Sequence, residues 1–215
     1  MKKRLKLCLI LALLLSLSST AQAAAAQGGS STEITAEPYL PDIKIEVVVP
    51  AAGNVYINPY RLPLEVDGKV ENKQVISSTF AIENQSEVPL GVSVEVTGKI
   101  KPESTMGLLT RSASSVTTTM KKAFMYFEIH TVSDPSAVEW DSKYSSSKHI
   151  VVRESSQIKK NVIILDAHDN EKRFGAFRLS GDCVQNPREP WTSEDGVEVE
   201  VAFTFTPLPL GTKIP

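Results

Sequence analysis

From Val197 to Phe205 the chain alternates without a break. Val197, Val199, Val201, Phe203 and Phe205 fall on one side, and Glu198, Glu200, Ala202 and Thr204 on the other. A period of two with one apolar and one polar side is a strand that buries one face and wets the other. Wound into a helix, the same residues would scatter their apolar groups around the axis. The apolar side therefore demands a second layer to cover it, which points to sheet packed on sheet.

The stretch Val75 to Gly98 carries the same period twice. Phe80 and Ile82 share one face, and Val92, Val94 and Val96 share another. Between them Glu83 to Pro89 is rich in Asn, Ser and Pro, residues that favour turns through side-chain hydrogen bonds or a fixed φ. The expectation is an antiparallel hairpin. Ile43–Val49, Val55–Asn58 and Leu62–Val66 read as shorter strands, and Asp67-Gly68 is a hairpin turn signal. Ala123–Thr131 (AFMYFEIHT) is nearly continuously apolar and reads as a central strand. Ile150–Val152, Val162–Leu165 and Phe174–Leu179 complete the set. Pro102–Met120, dense in Ser and Thr, reads as a crossover between sheets, with a short helix over Val116–Lys122 as its one regular candidate; a recognition loop or an O-glycosylated segment is the alternative. The spacing predicts an all-β fold, an antiparallel β-sandwich of Ig-like or jelly-roll-like type, with about ten strands and at most one short helix.

The N-terminus reads as a secretory leader. Lys2, Lys3, Arg4 and Lys6 precede an apolar run, Leu7 to Leu17, and Ala21-Gln22-Ala23 is a small-x-small cleavage site, so cleavage is expected after Ala23. The apolar run gives way to Ser16, Ser18, Ser19 and Thr20 before it reaches spanning length, so no membrane span is expected after cleavage. Loss of the four leader cations takes the formal net charge from −2 to −6. An acidic balance of this kind leads to no expectation of nucleic-acid binding through bulk charge. Cys8 leaves with the leader, Cys183 remains alone, and an internal disulfide is excluded. The expected organisation is leader 1–23, flexible arm 24–42, sandwich 43–207 and an extended tail 208–215.

The markers of well-defined enzyme classes are missing: there is no G-x-S-x-G, no H-E-x-x-H, no phosphate-binding loop and no C-x-x-C. No catalytic residue, cofactor or metal is expected. His130, His149 and His168 stand in separate segments and read as isolated side chains. Asp166 to Glu171 (DAHDNE) offers oxygen ligands of the kind calcium takes, with Asp166, Asp169 and Glu171 as donors. It lacks the glycine and the final glutamate of a helix–loop–helix calcium site, and a polar hairpin turn accounts for the same residues. Trp140 and Trp191 lie in polar stretches. Each is a candidate platform for a sugar ring or a partner surface, or else a cap on the core.

The run TFAIENQSEVPLGVSVEVTG, with its Ile82-x-Asn84-x-Ser86 strand end, and the closing VEVEVAFTFTPL resemble secreted β-sandwich proteins of Gram-positive bacteria: the camelysin and TasA-like matrix proteins and the WxL-type surface proteins. No Trp-x-Leu motif is present, which separates the chain from the WxL group and its peptidoglycan binding. The resemblance implies a secreted, non-catalytic surface or extracellular-matrix protein whose partners are itself or other cell-surface components. A carbohydrate- or protein-binding, adhesin-like module is the alternative.

Overall fold

The computed structural model describes residues 44–184 and 189–209. The expected leader and arm, and all of the expected tail beyond residue 209, lie outside the described residues. Among the described residues the chain forms β1 (Val47–Val48), β2 (Val55–Ile57), β3 (Leu64–Val66), β4 (Lys69–Glu71), β5 (Val75–Ser77) and β6 (Phe80–Asn84). The longer strands follow: β7 (Leu90–Ile100), β9 (Lys122–Val132), β11 (Gln157–Leu165), β12 (Phe174–Cys183) and β13 (Val197–Pro207). Two short pieces, β8 (Gly107–Leu108) and β10 (Ile150–Val151), flank β9.

The fold is all-β, as the alternation requires, and two of its three sheets face each other across one core. The larger has eight strands, with β1, β6, β12, β5 and β2 in order and β9 on the other side of β12, carrying β8 and β10. The smaller is β11-β7-β13, and β3 and β4 form a separate hairpin. Ile82, Phe127, Phe177 and Leu179 of the larger sheet meet Val92, Val94 and Val96 of the smaller, and Val197, Val199, Val201, Phe203 and Phe205 close over them. Each fully buried side chain of this size contributes roughly 1.5–3 kcal/mol of transfer free energy, so this single interface dominates stability.

The thirteen described strands exceed the expected ten because the first arm of the Val75–Gly98 stretch divides into β5 and β6 and because the short β4 and β8 form where no strand is expected. Of the expected strand Ile43–Val49, the described residues 44–49 hold only β1, with Ile45, Val48 and Val49 exposed. The chain from Val75 to Asn84 runs along β12 but gains one residue between β5 and β6: Val75 stands opposite Gly181, yet Phe80 stands opposite Phe177. At that bulge the Ser77 Oγ accepts the Leu179 N–H at 2.8 Å, and so replaces a missing ladder bond. The expected helix over Val116–Lys122 is absent; Lys122 already belongs to β9, and the described helical turns are three 3-10 turns, at Ala113–Ser115, Pro135–Ala137 and Glu171–Arg173. The first of these is tethered, with Ser112 Oγ and Ala113 N–H both donating to the Asp182 carboxylate. Asp67-Gly68 makes its tight turn with both residues at positive φ, 51° and 71°, and Val66 pairs with Lys69.

The expected hairpin across Glu83–Pro89 is also corrected. β6 pairs with β1 and β12, whereas β7 pairs with β11 and β13, so the connection crosses from one sheet to the other. The alternation of both arms is satisfied either way, because each presents its apolar side to the same core. Buried Asn84 shapes the crossing: its Nδ2 donates to the Val88 and Asp166 carbonyls and its Oδ1 accepts the Ser86 N–H. Asp166–Arg173, read as a hairpin turn, is likewise a crossing, from β11 back to β12. The His168 N–H donates to the Ser86 carbonyl, which fastens the two crossings together.

Candidate functional site

β9 has partners on both edges, so its alternate residues divide between two covered faces. Ala123, Met125 and Phe127 enter the core. Phe124, Tyr126, Glu128 and His130 take the opposite face by strand alternation. Three pairings bring other groups to this face. Arg178 of β12 stands directly across from Glu128, and Ser180 from Tyr126. On the other edge Ile150 pairs with Phe127, which sets His149 beside Glu128. The long connection 133–149 then returns over the face, setting the Tyr144 ring edge-on to Phe124 and tilted against Tyr126 at 5.2 and 5.4 Å between ring centroids. His149 lies 4.7 Å from the Tyr126 ring. The result is a polar group of residues sealed from solvent: Glu128 is 1% exposed, His149 4% and Arg178 8%.

Glu128 is the hub. Its Oε1 accepts the Asp141 backbone N–H at 2.7 Å and lies 2.7 Å from His130 Nε2. Its Oε2 faces Arg178 Nε at 3.7 Å, beyond hydrogen-bond reach. His149 Nε2 is 3.8 Å from Glu128 Oε1 and 3.5 Å from Asp141 Oδ2. Three buried side-chain atoms, Glu128 Oε2, His149 Nε2 and Arg178 Nε, lack a hydrogen-bond partner. Arg178 is held flat by Trp140, with the guanidinium carbon 4.7 Å from the ring centroid, and the Trp140 ring meets His130 edge-on at 5.4 Å.

The charges balance. Burial alone would raise the Glu128 carboxyl, but the hydrogen bonds from His130 and the Asp141 N–H, together with the Arg178 charge, hold it below the usual glutamate value. Burial lowers His149 below the ordinary histidine value of 6.5, despite the carboxylates of Glu128 and Asp141, so the ring is neutral at pH 7. The His149 Nδ1 accepts the Ser145 N–H at 2.7 Å, which puts the proton of the neutral ring on Nε2. The hydrogen bond from Lys148 lowers the Asp141 carboxyl.

Of the two tryptophans, Trp140 belongs to this region and Trp191 does not. Trp191 packs against the sandwich core and its indole N–H donates to the Val184 carbonyl at 3.0 Å, the arrangement of a core cap. Trp140 and Arg178 form the waist of a polar groove beside the β3–β4 hairpin. On one side is a hollow of about 530 Å³ that includes Lys69, Glu71 and Thr79; on the other is one of about 440 Å³ that includes Arg61, Lys73 and Ser142. The reading of three isolated histidines is corrected for two of them: His130 and His149 meet on one carboxylate, brought together by the β9–β10 register. His168 pairs with Asp169 at 2.6 Å on the surface. Asp166, Asp169 and Glu171 do not converge; among the described residues the acidic and imidazole atoms that do are those of Glu128, His130 and Asp141. Cys183 is buried, and burial pushes its thiol up to about 12, with Asp182 adding to the effect.

The sequence held a signal for this site that pattern reading passed over. Glu128 interrupts an apolar strand and Arg178 interrupts another (GAFRLSG), and a charge on the strand face of a buried sheet needs a partner. Comparison of the chain with protein-family models, with curated proteins and with solved structures finds no match. No helix among the described residues is long and apolar enough to cross a membrane.

Proposed function

We propose that the chain is an exported, non-catalytic protein of the bacterial surface or extracellular matrix, cut after Ala23, that associates with its own kind through the free edge of β13. The contrast between the two edges of the smaller sheet carries this reading. β11 is interrupted by a bulge between Lys159 and Ile163, with Asn161 at φ 48°, and carries Lys159 and Lys160. Bulges and lysines are the usual means of blunting an edge against strand addition. β13 has neither. It pairs without interruption with β7 over eleven residues, from Val197 to Pro207, and with no other described strand. Its apolar face is only half-buried, and a cleft of about 130 Å³ lined by Ala51, Phe80, Phe177, Val199 and Phe203 opens beneath it. A strand from another chain laid along β13 would satisfy the free backbone groups and cover that cleft. The likeness to secreted matrix sandwiches accords with such a role.

Light scattering of the chain beginning at Ala24, at high concentration, tests the reading, with Ala202→Lys/Thr204→Lys as the comparison. Both substitutions lie on the exposed face and place gatekeeping charge along the edge. Assembly by the parent chain and not by the variant is the expected result. A parent chain that stays monomeric ends the proposal. The adhesin-like alternative then takes precedence, favoured by the groove at Trp140 and Arg178.

A further inference from the structure

We propose that Glu128, His130 and Asp141 form a binding site for one divalent transition-metal ion of the Zn²⁺ class. One imidazole nitrogen and two carboxylate oxygens from these residues all lie within 4.8 Å of one another. Glu128 and His130 project from the same face of β9, two residues apart. The Asp141 N–H bonded to Glu128 Oε1 fixes the third residue against the first two.

A second observation points to a missing occupant. The His149 side chain is 0% exposed, and its Nε2, 3.5 Å from Asp141 Oδ2 and 3.8 Å from Glu128 Oε1, has no hydrogen-bond partner. A buried imidazole N–H left bare is costly, and a water carried on a bound ion would accept it. The donor set selects the ion. Calcium and magnesium take oxygen ligands alone, and copper(I) favours sulfur, whereas a nitrogen with two carboxylates suits zinc and its neighbours.

The surroundings fit the same role. His149 is not a ligand: it lies outside that group of atoms and its Nδ1 accepts the Ser145 N–H, whereas the proton His130 shares with Glu128 is the one an arriving ion displaces. The unpaired Nε2–H of His149 is placed to donate to a water on the ion. The edge of Trp140 fixes the His130 ring. Arg178 balances Glu128 from the far side of its carboxylate. Lys148 pairs with Asp141 at 3.3 Å, but its side chain is 64% exposed, so an arriving cation displaces it into solvent at little cost. Lys148 is thus a built-in competitor for the ion.

Calorimetric titration of the chelator-treated protein with Zn²⁺ decides the matter, with circular dichroism checking the fold of each variant. The expected result is one Zn²⁺ per chain, with His130→Ala and Asp141→Asn each weakening it about tenfold or more and a tenfold excess of Ca²⁺ failing to compete. Lys148→Ala, an exposed change, tightens Zn²⁺ several-fold. Co²⁺ substitution gives visible absorption bands that vanish in His130→Ala. The absence of Zn²⁺ binding at 100 µM metal, or binding unchanged in folded His130→Ala and Asp141→Asn, overturns the proposal.

Discussion

Asn84 Nδ2 donates to the carbonyl of Asp166 at 2.6 Å, a part-buried bond that helps tie to each other the two places where the chain passes between sheets. The same amide holds the Val88 carbonyl and the Ser86 N–H, so a single fully buried side chain fixes both the shape of one crossing and its distance from the other. Asn84→Ala leaves two carbonyls and an amide without partners and is expected to cost about 2–4 kcal/mol. Asn84→Asp, which keeps the volume but removes the donor, is expected to cost at least as much. Urea midpoints for the pair measure this, and a small effect of Asn84→Asp would show that the donated bonds carry no weight.

The alternation of β13 is testable at adjacent residues. Phe203 packs against Phe127, Phe177 and Phe205, with Phe177 nearest at 5.2 Å between centroids, but it is half-buried. Phe203→Ala is therefore expected to cost about 2–4 kcal/mol, a little under the range for fully enclosed phenylalanines. Thr204→Ala, on the exposed face, is expected to cost less than about 0.5 kcal/mol. Comparable shifts of the denaturant midpoint in both would contradict the register.

Lys121 and Asp195 form an enclosed ion pair, Nζ to Oδ2 2.7 Å, with side chains 7% and 2% exposed. Burial opposes ionisation of Asp195, but the Lys121 ammonium and the Thr192 N–H more than offset it and lower its carboxyl. Asp195→Ala strands a buried ammonium and is expected to destabilise by about 3–5 kcal/mol. Lys121→Met/Asp195→Leu, which removes both charges, is expected to lose far less than the two single changes together. Thermal denaturation of the three variants reads out the coupling.

Acid should loosen the protein in two stages. The folded His149 has a lowered pKa, so below about pH 6.5 the unfolded chain takes up a proton that the folded chain refuses. Stability is then full above that value and falls as the pH drops, at up to about 1.4 kcal/mol per pH unit. The facing groups are Glu128, Asp141, His130, Lys148 and Tyr126. Below about pH 4.5 the lowered carboxyls of Glu128, Asp141 and Asp195 add losses of the same sign. Chemical denaturation of metal-free protein from pH 7 to 5 should show the first stage in the parent chain, with its slope reduced in His149→Gln. An equal slope in both would remove His149 as its source.

Strand identity was legible wherever a run had to bury one side, as in Val197–Phe205 and Ala123–Thr131, because period and composition report burial directly. Partnership was not. The alternation of Phe80–Ile82 and Val92–Val96 reads the same for strands paired with each other and for strands that face each other across a core, so period alone does not separate the two. The polar centre was hidden for a related reason. Glu128, Asp141, His149 and Arg178 are scattered over about fifty residues, and it takes the register of β9 with β10 and β12 and the return of the connection 133–149 to bring them together. Their trace in the sequence was the pair of charges inside otherwise apolar strands.

The lone thiol of Cys183 gives the molecule an internal clock. Gln74 brackets the backbone of Cys183, accepting from its N–H and donating to its carbonyl, at the end of a strand paired along its length with β9. With its pKa pushed up to about 12, the sulfur presents almost no thiolate at neutral pH. A thiol-reactive dye is therefore taken up only when that end of the sheet parts. In a chain lacking the first 23 residues there is no competing cysteine, so the labelling rate reports how often the sandwich opens, without an engineered probe.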